Sequence, residues 1–456
     1  MISSIQYFIE KFDSYIWGIP LMVLLVATGL FLTVRLFFIQ IRGFKHGVKI
    51  LKGDFDNEKD PGEISHFKAL TTALSATIGT GNIVGVAAAI LIGGPGAVFW
   101  MWLTALVGMA TKYSSCLLAV HFRRIDKMGE VHGGPMYFIE MGMGRKFKWL
   151  AILYAIFTII ASFGIGNMFQ INNLVVNLSL LTGHSSNPDI IFRIIVGIII
   201  MLLVGFVIIG GIKSISNVTG FLVPFMCIFY FLGGIIILIL NFDKVPLAFE
   251  TIIESAFCIS AAAGGGIGAV IRAGVSRGLF SNEAGLGSAA MAHGAAKTKE
   301  PVREGLIAML GPFIDTIVIC TITALVIIVT DAYKICRTKG VLTGKAFEIG
   351  LGVTWGDEVI AIAIFLFAFS TLVAWSYYGD RATDYVFGSK AVIPYRVIFI
   401  LFIFLGALSN IDIIINFSDA MNGLMALPNL AALIILSPVV VSLTKKYFNE
   451  FKKIDF

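Results

Sequence analysis

The chain has 456 residues, 57% of them apolar and 14% charged, with a net charge of +6 and a mean hydropathy of +0.91. Soluble domains carry about 25% charged residues, so a globule of this composition lacks the polar surface to face water, and lipid must cover it instead. The positive charge falls in short loops between apolar runs rather than on a polar domain, which argues against nucleic-acid binding.

Residues 1–12 lack a basic segment ahead of an apolar core and include Glu10, so no cleavable signal is expected. A helix that crosses about 30 Å of hydrocarbon needs about 20 apolar residues. That window predicts eleven spans, over 17–38, 67–92, 97–120, 149–180, 190–209, 215–240, 252–280, 305–330, 359–385, 392–408 and 416–443. Cys116, Cys227, Cys258 and Cys320 fall in apolar runs and Cys336 in a hydrophilic loop, so a disulfide framework is not expected. Lysine and arginine gather in alternate loops: Arg42, Lys45, Lys49, Lys52 and Lys59; Arg123, Arg124, Lys127, Arg145 and Lys146; and Lys445, Lys446, Lys452 and Lys453 in the tail. Cytoplasmic loops carry the basic excess, so the N-terminus is expected outside and the C-terminus inside.

Two spans weaken their own helices. The second contains Ser75-Ala-Thr-Ile-Gly79-Thr80-Gly81-Asn82, and the seventh contains Ala261-Ala-Ala-Gly264-Gly265-Gly266-Ile267-Gly268. Glycine costs about 1 kcal/mol relative to alanine inside a helix. Peptide groups unwound near mid-span survive only beside a cavity that holds a polar guest. With the first span set aside, spans two to six and seven to eleven form two groups of five, the second inverted, and each opens on a weakened helix. The expected architecture is one all-α membrane domain over 1–456: an extra helix and cytoplasmic loop over 1–60, repeats over 61–250 and 251–446, and a tail over 447–456. Broken helices at matching positions point to the binding site of a secondary transporter. Close helix packing is the plainer reading of Gly81 with Gly85 alone. A dinucleotide loop fails because Gly85 comes one place late and no strand precedes it.

The stretch 73–85 with Gly93-Gly-Pro-Gly96, Gly133-Gly-Pro-Met-Tyr137, Gly278-Leu-Phe-Ser-Asn-Glu-Ala-Gly-Leu-Gly287, Gly311-Pro-Phe-Ile-Asp315 and Trp375-Ser-Tyr-Tyr-Gly379 resemble the alanine or glycine:cation symporter family. The resemblance covers nearly the whole chain. It implies a leucine-transporter-type inverted repeat in the plasma membrane and sodium-driven uptake of a small neutral amino acid.

An amino acid is a zwitterion and needs donors at one end and acceptors at the other. The amides of Gly79, Thr80 and Gly81, at the start of a half-helix, suit the carboxylate. Carbonyls of Thr77, Ala263, Gly264, Gly265, Gly266 and Ile267 suit the ammonium. Gln170, in the most amide-rich span, is expected to reach the substrate, and Trp375 to wall the pocket. Sodium takes oxygen ligands; the resemblance assigns it to the hydroxyls of Ser370 and Thr371 with the carbonyls of Phe367, Ser75 and Ile78, and Asn82 marks a second cation site. Asp315 is the expected functional charge, paired with Arg272 or engaged in coupling. Arg277 and Glu283 are expected near the cytoplasmic end, as an inner gate or as interfacial charges, and Lys112 is expected to snorkel.

An intramembrane enzyme is disfavoured. Tyr378-Gly379-Asp380 has Tyr377 where a protease signature requires glycine, and the histidines His46, His66, His121, His132, His184 and His293 are dispersed without a zinc pair. A proton-coupled transporter and, further off, a passive channel stand as the alternatives.

Overall fold

The computed structural model describes residues 2–127, 129–182, 188–258, 266–408 and 412–454. Two short helices open the described chain, α1 (Ile2–Ile16) and α2 (Ile19–Arg35). They were not expected as a pair: Gly18 is extended and Pro20 sits in the first turn of α2, where its missing N–H needs no partner. α1 packs along a helix near the C-terminus, and the Trp17 indole donates to the Asp419 carbonyl at 3.1 Å.

The remaining spans follow as α3 (His66–Thr77), α4 (Val84–Gly93), α5 (Ala97–His121), α6 (Arg145–Leu181), α7 (Ile190–Ile208) and α8 (Gly211–Leu240). After them come α9 (Val245–Phe257), α10 (Gly266–Asn282), α11 (Ala289–Gly294), α12 (Pro301–Val329), α13 (Gly356–Phe387), α14 (Val392–Leu408), α15 (Asp412–Ile435) and α16 (Ser437–Ile454). Among the described residues nine helices are long and apolar enough to cross a membrane, with α1 and α2 joined over Gln6–Arg35 as one of them, and α3 with α4 forms one more candidate, bent by 64°.

The side chains sort as a bilayer requires. Phe206 on α7 and Phe221 on α8 stand 87% and 75% exposed, and they suit lipid contact. α5 and α13 run through the interior with most residues buried. Small residues let backbones approach: Gly108 of α5 faces Ala284, and Gly274 of α10 sits so close to the Ala97 carbonyl that a methyl group would meet it at 2.2 Å. α6 and α12 each contain a π-helical turn, Gly164–Met168 and Phe313–Cys320. Such turns are enriched at functional sites.

The seventh span differs from expectation. α9 has 13 residues and at 1.5 Å per residue reaches about 20 Å, short of the roughly 30 Å a crossing needs. α10 starts at Gly266, whose φ is +64°, and descends along α5: Gly274 lies against Ala97, Gly278 against Met101, and Ala284 against Gly108. The chain then unwinds over 283–288, level with the middle of α5, before α11 begins. Glu283, Gly285 and Gly287 all take positive φ, at 51°, 105° and 85°. Glycine adopts this region freely, whereas at Glu283 it costs about 1 kcal/mol or more. Asn429 Nδ2 donates to the Gly285 carbonyl at 2.7 Å, and Asn282 Oδ1 accepts from the Ala284 amide at 3.0 Å, so the open peptide groups find side-chain partners.

Among the described residues, the break level with the middle of α5 is therefore at 283–288. Ala263, Gly264 and Gly265 lie outside the described residues. Gly266 and Ile267 open α10 at its far end from the break, with Ile267 36% exposed. A glycine run marks weak helix, but its depth depends on how far the flanking helices extend.

Candidate functional site

α3 starts on an N-cap from Ser65, whose hydroxyl accepts from the Lys68 amide, and ends at Thr77. Ile78 and Gly79 are extended, a single turn follows over Thr80–Asn82, and α4 resumes at Val84. Asn82 closes the break: its Oδ1 accepts from the Gly79 amide at 3.0 Å, and its own carbonyl accepts from Thr323 Oγ1 at 2.9 Å. The Thr80 and Gly81 amides meet no acceptor among the described residues. They are the open donors that a helix start leaves behind, at the positive end of its dipole.

The two breaks face each other. A methyl group on Gly81 would lie 3.5 Å from the Phe280 ring and 3.8 Å from Ser281 Cα. Between them is a cavity of about 30 Å³, room for about one or two water molecules and for no amino acid. The structure brings Thr77, Gly79, Thr80, Gly81, Gln170 and Trp375 to this cavity. It does not bring Gly266 or Ile267. Six residues that sequence reasoning did not assign to the pocket join them: Ala76, Ile165, Phe169, Phe280, Glu283 and Asn422.

The π turn in α6 shapes one wall. Gly166 lies against Trp375, where a methyl group would meet the indole at 2.6 Å. Gln170 Nε2 donates to the Ile165 carbonyl at 3.2 Å, and its Oε1 is buried without a partner. Asn422 Oδ1 is likewise buried without a partner. Buried polar atoms normally have partners, so two orphan acceptors in one cavity are a strong local signal.

Beside the cavity, oxygen atoms converge between the last turn of α3 and the middle of α13. The Ser75 carbonyl accepts from Thr371 Oγ1 at 3.0 Å and from Ser370 Oγ at 3.4 Å; both hydroxyls also lie 2.9 Å from the Phe367 carbonyl. Ser75 Oγ donates in return to the Ser370 carbonyl at 2.7 Å. Ile78 is buried at the C-cap of α3, past the point where an intrahelical donor reaches its carbonyl. A hydroxyl that bonds back to its own turn can pivot and offer a lone pair to a hard cation, and carbonyl and hydroxyl oxygens are the donors such a cation takes. The cluster abuts the cavity, because a methyl group on Gly79 would lie 3.3 Å from Thr371 Oγ1.

A second polar centre sits behind Asn82. Asp315, in the π turn of α12, accepts from Asn82 Nδ2 and, at 2.9 Å, from Ser281 Oγ; its Oδ2 is buried without a partner. Among the described residues no ion pair joins it to Arg272, which instead lines an apolar groove with Ile19, Val23 and Leu30. Lys112 does not snorkel: it is 4% exposed, and its ammonium packs on Gly311, one turn before Asp315. Arg277 is not grouped with Glu283. Its charged neighbours are Asp13 of α1 and Asp419 of α15.

The whole chain, from residue 2 to residue 455, matches the profile of the sodium:alanine symporter family. The chain belongs to that family. It is 47% identical to an uncharacterized transporter of Haemophilus influenzae, over 98% of this chain and 97% of that one. It is 45% identical to the sodium/alanine symporter AgcS of Methanococcus maripaludis, again over 98% and 97%. The crystal structure of MhsT in complex with L-phenylalanine aligns with a TM-score of 0.57 at 14% identity, covering 84% of this chain and 98% of that one. This family member therefore has the leucine-transporter type of fold.

At the ends of α3, α11 and α12 the symporter chain holds a buried cluster. The Glu304 carboxylate is bonded by His66 on one oxygen and by His293, at 2.6 Å, on the other. Arg123 clamps the adjoining loop through the carbonyls of Pro61, Gly294, Ala296 and Thr298 at 2.6–2.8 Å. Nearby, in the loop after α5, the hydrogen bond that the Asp384 carboxylate accepts from His132 raises the imidazole above its ordinary value. Removal of one member of a buried charged network costs about 3–5 kcal/mol. Glu304→Ala is therefore expected to melt several degrees below the parent in a detergent thermal-shift measurement, with Glu304→Gln in between; equal melting of all three contradicts a structural role.

Proposed function

We propose that this protein is a sodium-coupled symporter that carries small neutral amino acids such as alanine or glycine into the cell by alternating access. The observation that carries the reading is the meeting of two helix breaks at a cavity with open amides on one side, orphan acceptors on the other, and an oxygen cluster against its wall. The substrate carboxylate lies at the amides of Thr80 and Gly81 and the dipole of α4; the Gly79 amide is already engaged by Asn82. Thr77 and Gln170 face the ammonium, and Trp375, Phe280 and Phe169 limit the side chain.

Ser75, Ile78, Phe367, Ser370 and Thr371 hold the coupling sodium ion. Their all-oxygen donor set fits a hard cation, and the ion supplies positive charge next to the substrate. Asn82, with Asp315 and Ser281, forms a second cation position. The two five-helix repeats, 61–250 and 251–446, move against each other around this site, with the N-terminus outside and the C-terminus in the cytoplasm. The small cavity corresponds to a closed form that must widen to admit substrate.

Proteoliposomes provide the test. They are expected to concentrate labelled alanine under an inward sodium gradient and not under a proton gradient with potassium. Equal uptake with protons overturns the cation assignment, and downhill equilibration alone favours a channel.

A further inference from the structure

We infer that the substrate's ammonium is held by Glu283 together with Gln170 and Asn422, and that the Glu283 carboxylate makes the site select amino acids over hydroxy acids of the same shape. The inference rests on the transport reading above and extends it to the chemistry of recognition.

Glu283 sits in the unwound segment after α10, at φ 51°, and lines the cavity at 6% exposure. Ser288 Oγ donates to its Oε2 at 2.5 Å, and Oε1 receives no donor from the described residues. The orphan Oε1 of Gln170 and Oδ1 of Asn422 line the same cavity. The three acceptors come from three separate elements, α6, the 283–288 break and α15. An alkylammonium offers three N–H donors and no acceptor, so three acceptors on residues that line one cavity match it. The open amides of Thr80 and Gly81 lie across the cavity, so the site is polarised as a zwitterion requires. The strained backbone of a non-glycine residue at positive φ is in keeping with a functional constraint. Lys112 is a charged neighbour of both Glu283 and Asp315 and offsets the buried carboxylates before substrate arrives.

The test compares wild-type, Glu283→Gln, Glu283→Asp and Asn422→Leu proteins in proteoliposomes, reading alanine KM, the sodium concentration for half-maximal uptake, melting temperature, and competition by lactate and N-acetylalanine. A hydrogen bond to a charged group corresponds to about a 10- to 100-fold change in affinity. Glu283→Gln is expected to raise alanine KM by about that factor, with sodium dependence and melting unchanged. Glu283→Asp is expected to recover part of the loss, and Asn422→Leu to raise KM alone. Neither lactate nor N-acetylalanine is expected to compete in the wild type. An alanine KM within twofold of wild type in both Glu283→Gln and Asn422→Leu overturns the inference, as does lactate competing as well as alanine. A wild type without sodium-driven uptake overturns the transport reading instead, so the two failures are distinct.

Discussion

Thr371→Ala is expected to raise the sodium concentration for half-maximal alanine uptake by about tenfold or more, the loss of one polar ligand to a charge. The maximal rate at saturating sodium should persist. Thr371 Oγ1 lies 3.0 Å from the Ser75 carbonyl and 2.9 Å from the Phe367 carbonyl, at the junction of α3 and α13, so its removal takes one donor oxygen from the proposed cation shell. As a neutral hydrogen bond it contributes only about 1 kcal/mol to folding, so melting should change little. Thr371→Ser keeps the hydroxyl and should behave almost as the parent. A sodium titration of uptake for the three proteins decides the matter, and unchanged sodium dependence in Thr371→Ala removes the assigned site.

The second large effect concerns space. Gly81 faces Phe280 with ordinary contact distance for one methyl group, 3.5 Å. Gly81→Ala should fold and lose activity only in part, because alanine fits the single turn and trims the cavity. Gly81→Leu projects three further carbons into a space of about 30 Å³ and should abolish uptake, at least 100-fold, by filling the chamber. Purified Gly81→Leu that remains monodisperse but inactive fits this account. Gly81→Leu with parental KM would show that substrate does not pass beside Gly81.

Much of this arrangement is legible in the sequence. Apolar runs located the spans, since lipid exposure leaves no other way to satisfy backbone groups. Gly79-Thr80-Gly81-Asn82 marked the break in α3 and α4 because two glycines flank a residue beside an amide side chain able to replace helical hydrogen bonds, and Asn82 does so. Ser75, Phe367, Ser370 and Thr371 came from the family resemblance, and the structure brings them together.

The break at 283–288 is missing from the sequence reading for a physical reason. Composition draws attention to Gly264–Gly266, whereas the depth of 283–288 is set by α10 starting at Gly266 and running along α5 to Asn282. From sequence Glu283 is expected near the cytoplasmic end, as an inner gate or an interfacial charge, because a charge at the end of an apolar run usually snorkels; the packing of Ala284 on Gly108 reveals its depth. The available signal was the pair Gly285 and Gly287 directly after it. Asn422 left a fainter trace, a polar residue next to Gly423 inside an apolar run. α1 was missed because its polar face lowered its hydropathy below that of a span.

The central claim is that substrate binds between the two breaks. Equilibrium binding of labelled alanine to detergent-purified protein, in sodium and in potassium, tests it most directly when wild type is set against Gly81→Leu. Saturable binding in sodium only, lost in Gly81→Leu at unchanged melting temperature, is the predicted result. Binding that survives the leucine with the same affinity contradicts it.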